Sequence, residues 1–119
     1  MLPSKELMSE IVKMKINSVE ENLEKDTIFY YCNQFGKLTA EINKYEFANY
    51  CKRWSWSKGY HLKSRLGWCE VFYDMECEAK AFDAFSKEGD GTDEVEAIII
   101  ATEWVLKNKK QSNETKEQK

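Results

Sequence analysis

Apolar positions along this chain recur at helical spacing in three stretches, and between them hydrophobic and polar residues alternate as they do in strands. Leu7, Met8, Ile11 and Val12 mark one helix face, and Ser4 stands where an N-cap would accept the free amides of the first turn. Ser18 with Glu21 three residues later reads as a second capping box, so the pattern predicts a helix over residues 4–24 that breaks near Asn17 and restarts through Val19 and Leu23. The run Thr27 to Cys32 is β-branched and aromatic, and Leu38 to Ile42 is a second strand candidate, with Gly36 as the hairpin turn between them. Asn43, with Glu46 three residues on, opens a helix over residues 44–58 that carries Phe47, Cys51 and Trp54 on one stripe and stops at Gly59.

After Gly59, Tyr60 to Lys63 predicts a short strand and Gly67 a turn. From Cys69 to Ala81 the odd positions hold Cys69, Val71, Tyr73, Met75, Cys77, Ala79 and Ala81, against Glu70, Phe72, Asp74, Glu76, Glu78 and Lys80 at the even ones. One strand of that length is uncommon. The pattern therefore predicts a bend near Asp74 to Glu76 that makes two strands, or a helix after Glu76. Ser86 to Gly91 reads as a loop, and Thr92 caps a last helix over residues 92–108 built on Val95, Ile98, Ile99, Val105 and Leu106, its apolar face widened by Ala97, Ala101 and Trp104. Residues 109–119 carry no apolar side chain and are expected to form a disordered tail. The sum is a single α+β domain over residues 1–108, an antiparallel sheet of about four or five strands packed with three helices.

A chain of 119 residues, 42% hydrophobic and 33% charged, is long enough to bury its own core and too short for two domains. Cys32, Cys51, Cys69 and Cys77 contain no Cys-x-x-Cys pair. The first fifteen residues lack a signal-peptide core, and no run reaches the ~20 apolar residues of a membrane span. These features predict a cytoplasmic protein with reduced, mostly buried thiols and no membrane partner.

The net charge of −3 conceals a division into blocks. Residues 47–69 hold five bases and no acid, whereas residues 70–96 hold ten acids against Lys80 and Lys87. Kept apart in the fold, such blocks steer a charged partner; facing one another, they neutralise locally. In the basic block, cations interleave with rings, an arrangement that holds an anionic or flat partner through charge and stacking. Phe47, Cys51 and Trp54 fit a helix core better than a ligand platform. The candidate binding residues are Lys52, Arg53, Trp56, Lys58, Tyr60, His61, Lys63 and Arg65: the cations supply charge, and Trp56 and Tyr60 supply stacking surface. The bland alternative packs Trp56 on Trp68 and leaves the cations solvated.

Catalytic and metal chemistry have little to stand on. His61 is the sole histidine, and a Cys69–His61 dyad has no local signature. Zinc from His61, Cys69 and Cys77 lacks the paired short spacing of a zinc site. The acids around Gly89 and Gly91 lack the order of a calcium loop, and the glycine-rich motifs of nucleotide-binding and esterase folds are absent from the sequence. The reading is a non-enzymatic binding protein without a cofactor.

The C-terminal half, with Gly67-Trp68-Cys69-Glu70-Val71, then Ala79 to Phe82, then Glu96-Ala97-Ile98-Ile99-Ile100-Ala101 in the final helix, resembles small phage and prophage accessory proteins of the ABA-sandwich type. The resemblance implies a short antiparallel sheet covered by helices, no catalytic residues, and inhibition of a host defence system by binding a host protein or sequestering a nucleotide-like ligand. It would act in the host cytoplasm. Two alternatives use the same sequence differently: single-stranded nucleic-acid binding by the basic block, or mimicry of nucleic acid by the acidic one. A homo-oligomer formed through an exposed edge strand is a further expectation.

Overall fold

The structure, a computed structural model, describes residues 2–22, 24–32, 38–65, 67–73, 77–83 and 94–117. Its elements in chain order are α1 (Lys5–Val12), β1 (Ser18–Asn22), β2 (Thr27–Cys32), β3 (Leu38–Asn43), α2 (Lys44–Ser57), β4 (Tyr60–Arg65), β5 (Trp68–Tyr73), β6 (Cys77–Asp83) and α3 (Glu94–Glu117). The α+β class, the antiparallel pairing and the three helices are as the pattern predicts. The strands form two three-stranded sheets, β1-β2-β3 and β4-β5-β6, on either side of α2 in the chain. The described residues fill an envelope of 41 × 41 × 20 Å.

Ser4 caps α1, its hydroxyl accepting from the Leu7 amide at 3.0 Å, and the helix ends where Lys13 turns left-handed at φ 58°. The restart expected through Val19 and Leu23 does not occur. Ser18–Asn22 is instead the edge strand β1, paired residue for residue with β2. A helix there would bury only two apolar side chains. As a strand the segment gains a full ladder of backbone hydrogen bonds and still turns Val19 onto the core, so pairing outweighs the capping signal.

The long alternation splits into two strands, β5 and β6, joined around residues 74–76, which lie outside the described residues. The β5–β6 register shifts between Val71, paired with Lys80, and Phe72, paired with Glu78, a bulge that leaves Ala79 without a partner across the pair. Gly59 (φ 92°) and Gly67 (φ 69°) occupy left-handed positions that favour glycine, ending α2 and turning β4 into β5. The Gly36 turn, Leu66, the loop expected at Ser86 to Gly91 and the Thr92 cap lie outside the described residues. The backbone of α3 is helical to Glu117, through most of the stretch where composition predicts a tail; side chains from residue 109 on are outside the description. Among the described residues no helix is long and apolar enough to cross a membrane.

The core centres on α3. Val95, Ala97, Ile98, Ile99, Ala101, Val105 and Leu106 are buried between α2, which brings Phe47, Ala48 and Cys51, and the inner face of β4 and β5, which brings Tyr60, Leu62, Cys69 and Val71. Leu7 and Met8 of α1, with Ile16 and with Ile28 of β2, complete it. Glu103 fastens that last helix: its carboxylate accepts from the Ser4 amide at 2.6 Å and from the Ser4 hydroxyl at 2.8 Å, so the α1 cap is itself held by α3. The sheet β1-β2-β3 is tied to α2 by Lys44, whose amide donates to the Asp26 carbonyl at 3.0 Å and whose ammonium lies 3.2 Å from the Asp26 carboxylate.

Two stability predictions follow from this packing. Phe47→Ala, which empties a fully buried ring position, is expected to cost about 3–5 kcal/mol. Glu103→Ala, which strips the α1 cap of its charged partner, is expected to cost about 1.5–3 kcal/mol. Urea unfolding followed by circular dichroism measures both as lowered midpoints, and an unchanged midpoint for Glu103→Ala would show that α1 is held by apolar packing alone.

Candidate functional site

Strand phase decides which candidate residues meet. In β4, Tyr60 and Leu62 are buried toward α3, so the two-residue period turns His61, Lys63 and Arg65 to the opposite face of the sheet. The antiparallel register sets Phe72 across from His61, Glu70 across from Lys63, and Trp68 across from Arg65. Trp56 projects from the last turn of α2 and reaches this face because only Lys58 and Gly59 separate the helix from β4. The result is an outer surface of rings and charged residues, on which the β5–β6 register also sets the positions of Asp83 and Glu78 across from Trp68 and Phe72.

Contacts across it are specific. Trp56, 56% exposed, meets the His61 ring edge-on with centroids 5.6 Å apart and planes at 81°. His61 lies 6.4 Å from Phe72 at a tilt of 46°. The Lys63 ammonium sits 5.7 Å from the Phe72 centroid, and the Arg65 guanidinium 5.5 Å from that of Trp68. The Trp68 indole N–H donates to Glu70 Oε1 at 2.9 Å. Each exposed cation–ring contact contributes about 0.5–1 kcal/mol, enough to orient a long side chain without withdrawing its charge from solvent. Lys63, Ser64, Arg65, Trp68 and Glu70 line a shallow hollow of about 180 Å³ at one end of the face.

Of the eight candidate residues, the fold therefore gathers Trp56, His61, Lys63 and Arg65. Tyr60 does not join them: it is 6% exposed, with its ring edge-on to Trp104 at 5.9 Å, so its expected stacking role is corrected to a core role by the phase of β4. Lys52 faces a separate groove of about 380 Å³ between α2 and the start of α3, bounded by Tyr45, Asn49 and Glu94 and floored by Ala48, Val95 and Ile98. Its ammonium is 3.9 Å from the Glu94 carboxylate. Arg53 is exposed on α2, and Lys58 at the helix end lies 6.0 Å from the Trp54 ring. Trp56 does not pack on Trp68; each instead meets a residue of β4. The face also includes Trp68, Glu70 and Phe72, which were not among the candidates. Their signal was the β5 alternation, which sets even-numbered residues opposite the buried Cys69 and Val71.

The same phase separates the cysteine and histidine weighed as a dyad. Cys69 is buried on the inner face, across from Ser64, while His61 points outward, so neither the dyad nor a zinc site built on both is assembled. Burial pushes the Cys69 thiol from an ordinary 9.0 up to about 12, and burial likewise pushes Cys51 up strongly. Both are held as neutral thiols, the opposite of what a nucleophile needs. The Cys77 side chain and the acidic loop weighed for calcium lie outside the described residues. On the other sheet, the Tyr31 hydroxyl donates to Glu20 at 2.8 Å, and that carboxylate raises the phenol's pKa.

Fold and face together define a small α+β domain that presents a sheet surface of rings and charged side chains beside an exposed tryptophan. Comparison with protein-family models, with curated proteins and with solved structures gives no match.

The thiols make a pH prediction. Because folding raises the Cys69 pKa, its contribution to stability is complete below about pH 9 and is lost as the pH climbs toward about 12, where the unfolded chain gains by ionising first. The urea midpoint should fall between those values, and fall less in Cys69→Ala. A thiol reagent at pH 8 should modify Cys51 and Cys69 only after denaturation; rapid modification of either in the native protein would contradict their placement in the core.

Proposed function

We propose that this chain is a non-enzymatic binding protein whose contact surface is the outer face of β4 and β5 together with Trp56. One observation carries the reading. Lys63 and Arg65 stand over rings of the neighbouring strand, leaving their charges at the surface, while Trp56 beside them keeps more than half of its area open. A partner that combines a negative group with a flat or apolar one is matched by that combination, since the cations attract it and the indole offers a face for stacking. The resemblance to phage accessory proteins adds the expectation that the partner belongs to a host defence system, as a protein or as a nucleotide-like ligand.

A second reading, single-stranded nucleic acid, is favoured by the repeat of outward residues along β4. His61, Lys63 and Arg65 are spaced by about 6.6 Å in an extended strand, a repeat comparable with that of phosphates along a stretched single strand. It requires affinity for an oligonucleotide that falls steeply with salt.

The test is capture by the tagged full chain from a bacterial lysate, with mass spectrometry of retained proteins and small molecules. Lys63→Glu with Arg65→Glu is expected to reduce recovery of the specific partner at least about tenfold, and Trp56→Ala to weaken it by about 1–3 kcal/mol if the ring stacks. Recovery that survives these changes but is lost on reversing the charge of Glu76 and Glu78 would move the contact surface to the acidic block and overturn the reading.

A further inference from the structure

Glu70 carries a charge of the wrong sign for an anion-binding surface, and the β5–β6 register sets Glu78 and Asp83 at the positions across from Phe72 and Trp68. Glu70 projects from the central strand of its sheet, directly across from Lys63, and side chains so placed have Cβ atoms about 4.5–5.5 Å apart. Its position is fixed by the Trp68 indole, which donates to Oε1 at 2.9 Å. It also borders the same hollow as Lys63 and Arg65, within a Debye length of both charges. We infer that Glu70 is a specificity-determining residue that keeps extended polyanions off the β4–β5 face.

This inference rests on the binding role proposed above and adds the rule by which the face discriminates. A single-stranded nucleic acid lying along His61, Lys63 and Arg65 would bring successive phosphates past both cations. It would also bring one phosphate against the Glu70 carboxylate, whose charge cancels one of the two positive charges. The Trp68 hydrogen bond keeps that carboxylate from swinging away when a phosphate approaches, so its repulsion is built into the surface.

Glu70→Gln isolates the charge, because the amide oxygen of the new side chain can still accept from Trp68. Binding of a fluorescein-labelled thymidine 20-mer to the full chain is measured by anisotropy across a salt series. At low salt Glu70→Gln is expected to bind roughly fivefold more tightly than the wild type, the effect of one unscreened charge at contact distance in water. The slope of log K against log salt should steepen by about 0.7, the increment for one more neutralised phosphate on a single strand. Adding Lys63→Gln to Glu70→Gln should abolish both gains. Native near-ultraviolet circular dichroism of each variant confirms that Trp68 keeps its setting.

An unchanged affinity and slope in Glu70→Gln overturns the inference, as does the absence of oligonucleotide binding by that variant. Neither result touches the binding role itself, which stands or falls on the effect of Lys63→Glu and Arg65→Glu on partner capture.

Discussion

The burial of the first three turns of α3 is the constraint on which the rest of this structure depends. From Glu94 to Leu106 every residue is buried or half-buried, which a surface helix with one apolar stripe never achieves. Three partners enclose it: α2 through Phe47, Ala48 and Cys51, the inner face of β4 and β5, and α1 through Leu7 and Met8. Ala97 and Ala101, both without exposed surface, bring the helix close to those neighbours. Glu103 is placed by the same packing at the cap of α1, so the first helix of the chain is positioned by the last.

That enclosure also determines what is left for a partner. Once α3 covers one face of β4-β5-β6, the period of two along each strand leaves His61, Lys63, Arg65, Trp68, Glu70 and Phe72 on the other. The short turn at Lys58 and Gly59 adds Trp56 from α2. The face is assembled on strands whose opposite sides are locked into the core, and sites on such elements hold their geometry better than sites on loops. The sheet β1-β2-β3 has a different standing. It contributes Ile28 to the buried core and leans on it with Val19, Tyr30 and Ile42, and Lys44 pins its β1–β2 turn to the start of α2. Fewer buried side chains mean a lower free energy of local opening there than around α3.

Much of the fold was legible because its signals are local. Ser4 and Asn43 cap helices since their side-chain oxygens reach amides within the first turn, and the apolar stripe from Val95 to Leu106 has no arrangement but a buried helix. The segment from Ser18 to Asn22 was misread because a capping box and a strand share polar residues, and only the partner strand β2 decides between them. Trp56, His61, Lys63 and Arg65 were legible as a group because they are near in sequence. Tyr60 was counted among them because composition does not reveal strand phase, and Trp68, Glu70 and Phe72 were missed because they reach the face only through the β4–β5 register.

The sequence by itself determined the element types, their caps and the segregation of charge, all of which follow from interactions within a few residues. The tertiary structure alone decided that the strands divide into two sheets and that α3 takes the inner face of one of them. It alone set the carboxylate of Glu70 across from Lys63 on the outer face. Those outcomes depend on which strands pair and in what register, and pairing energy is shared between distant segments, so neither segment specifies it alone.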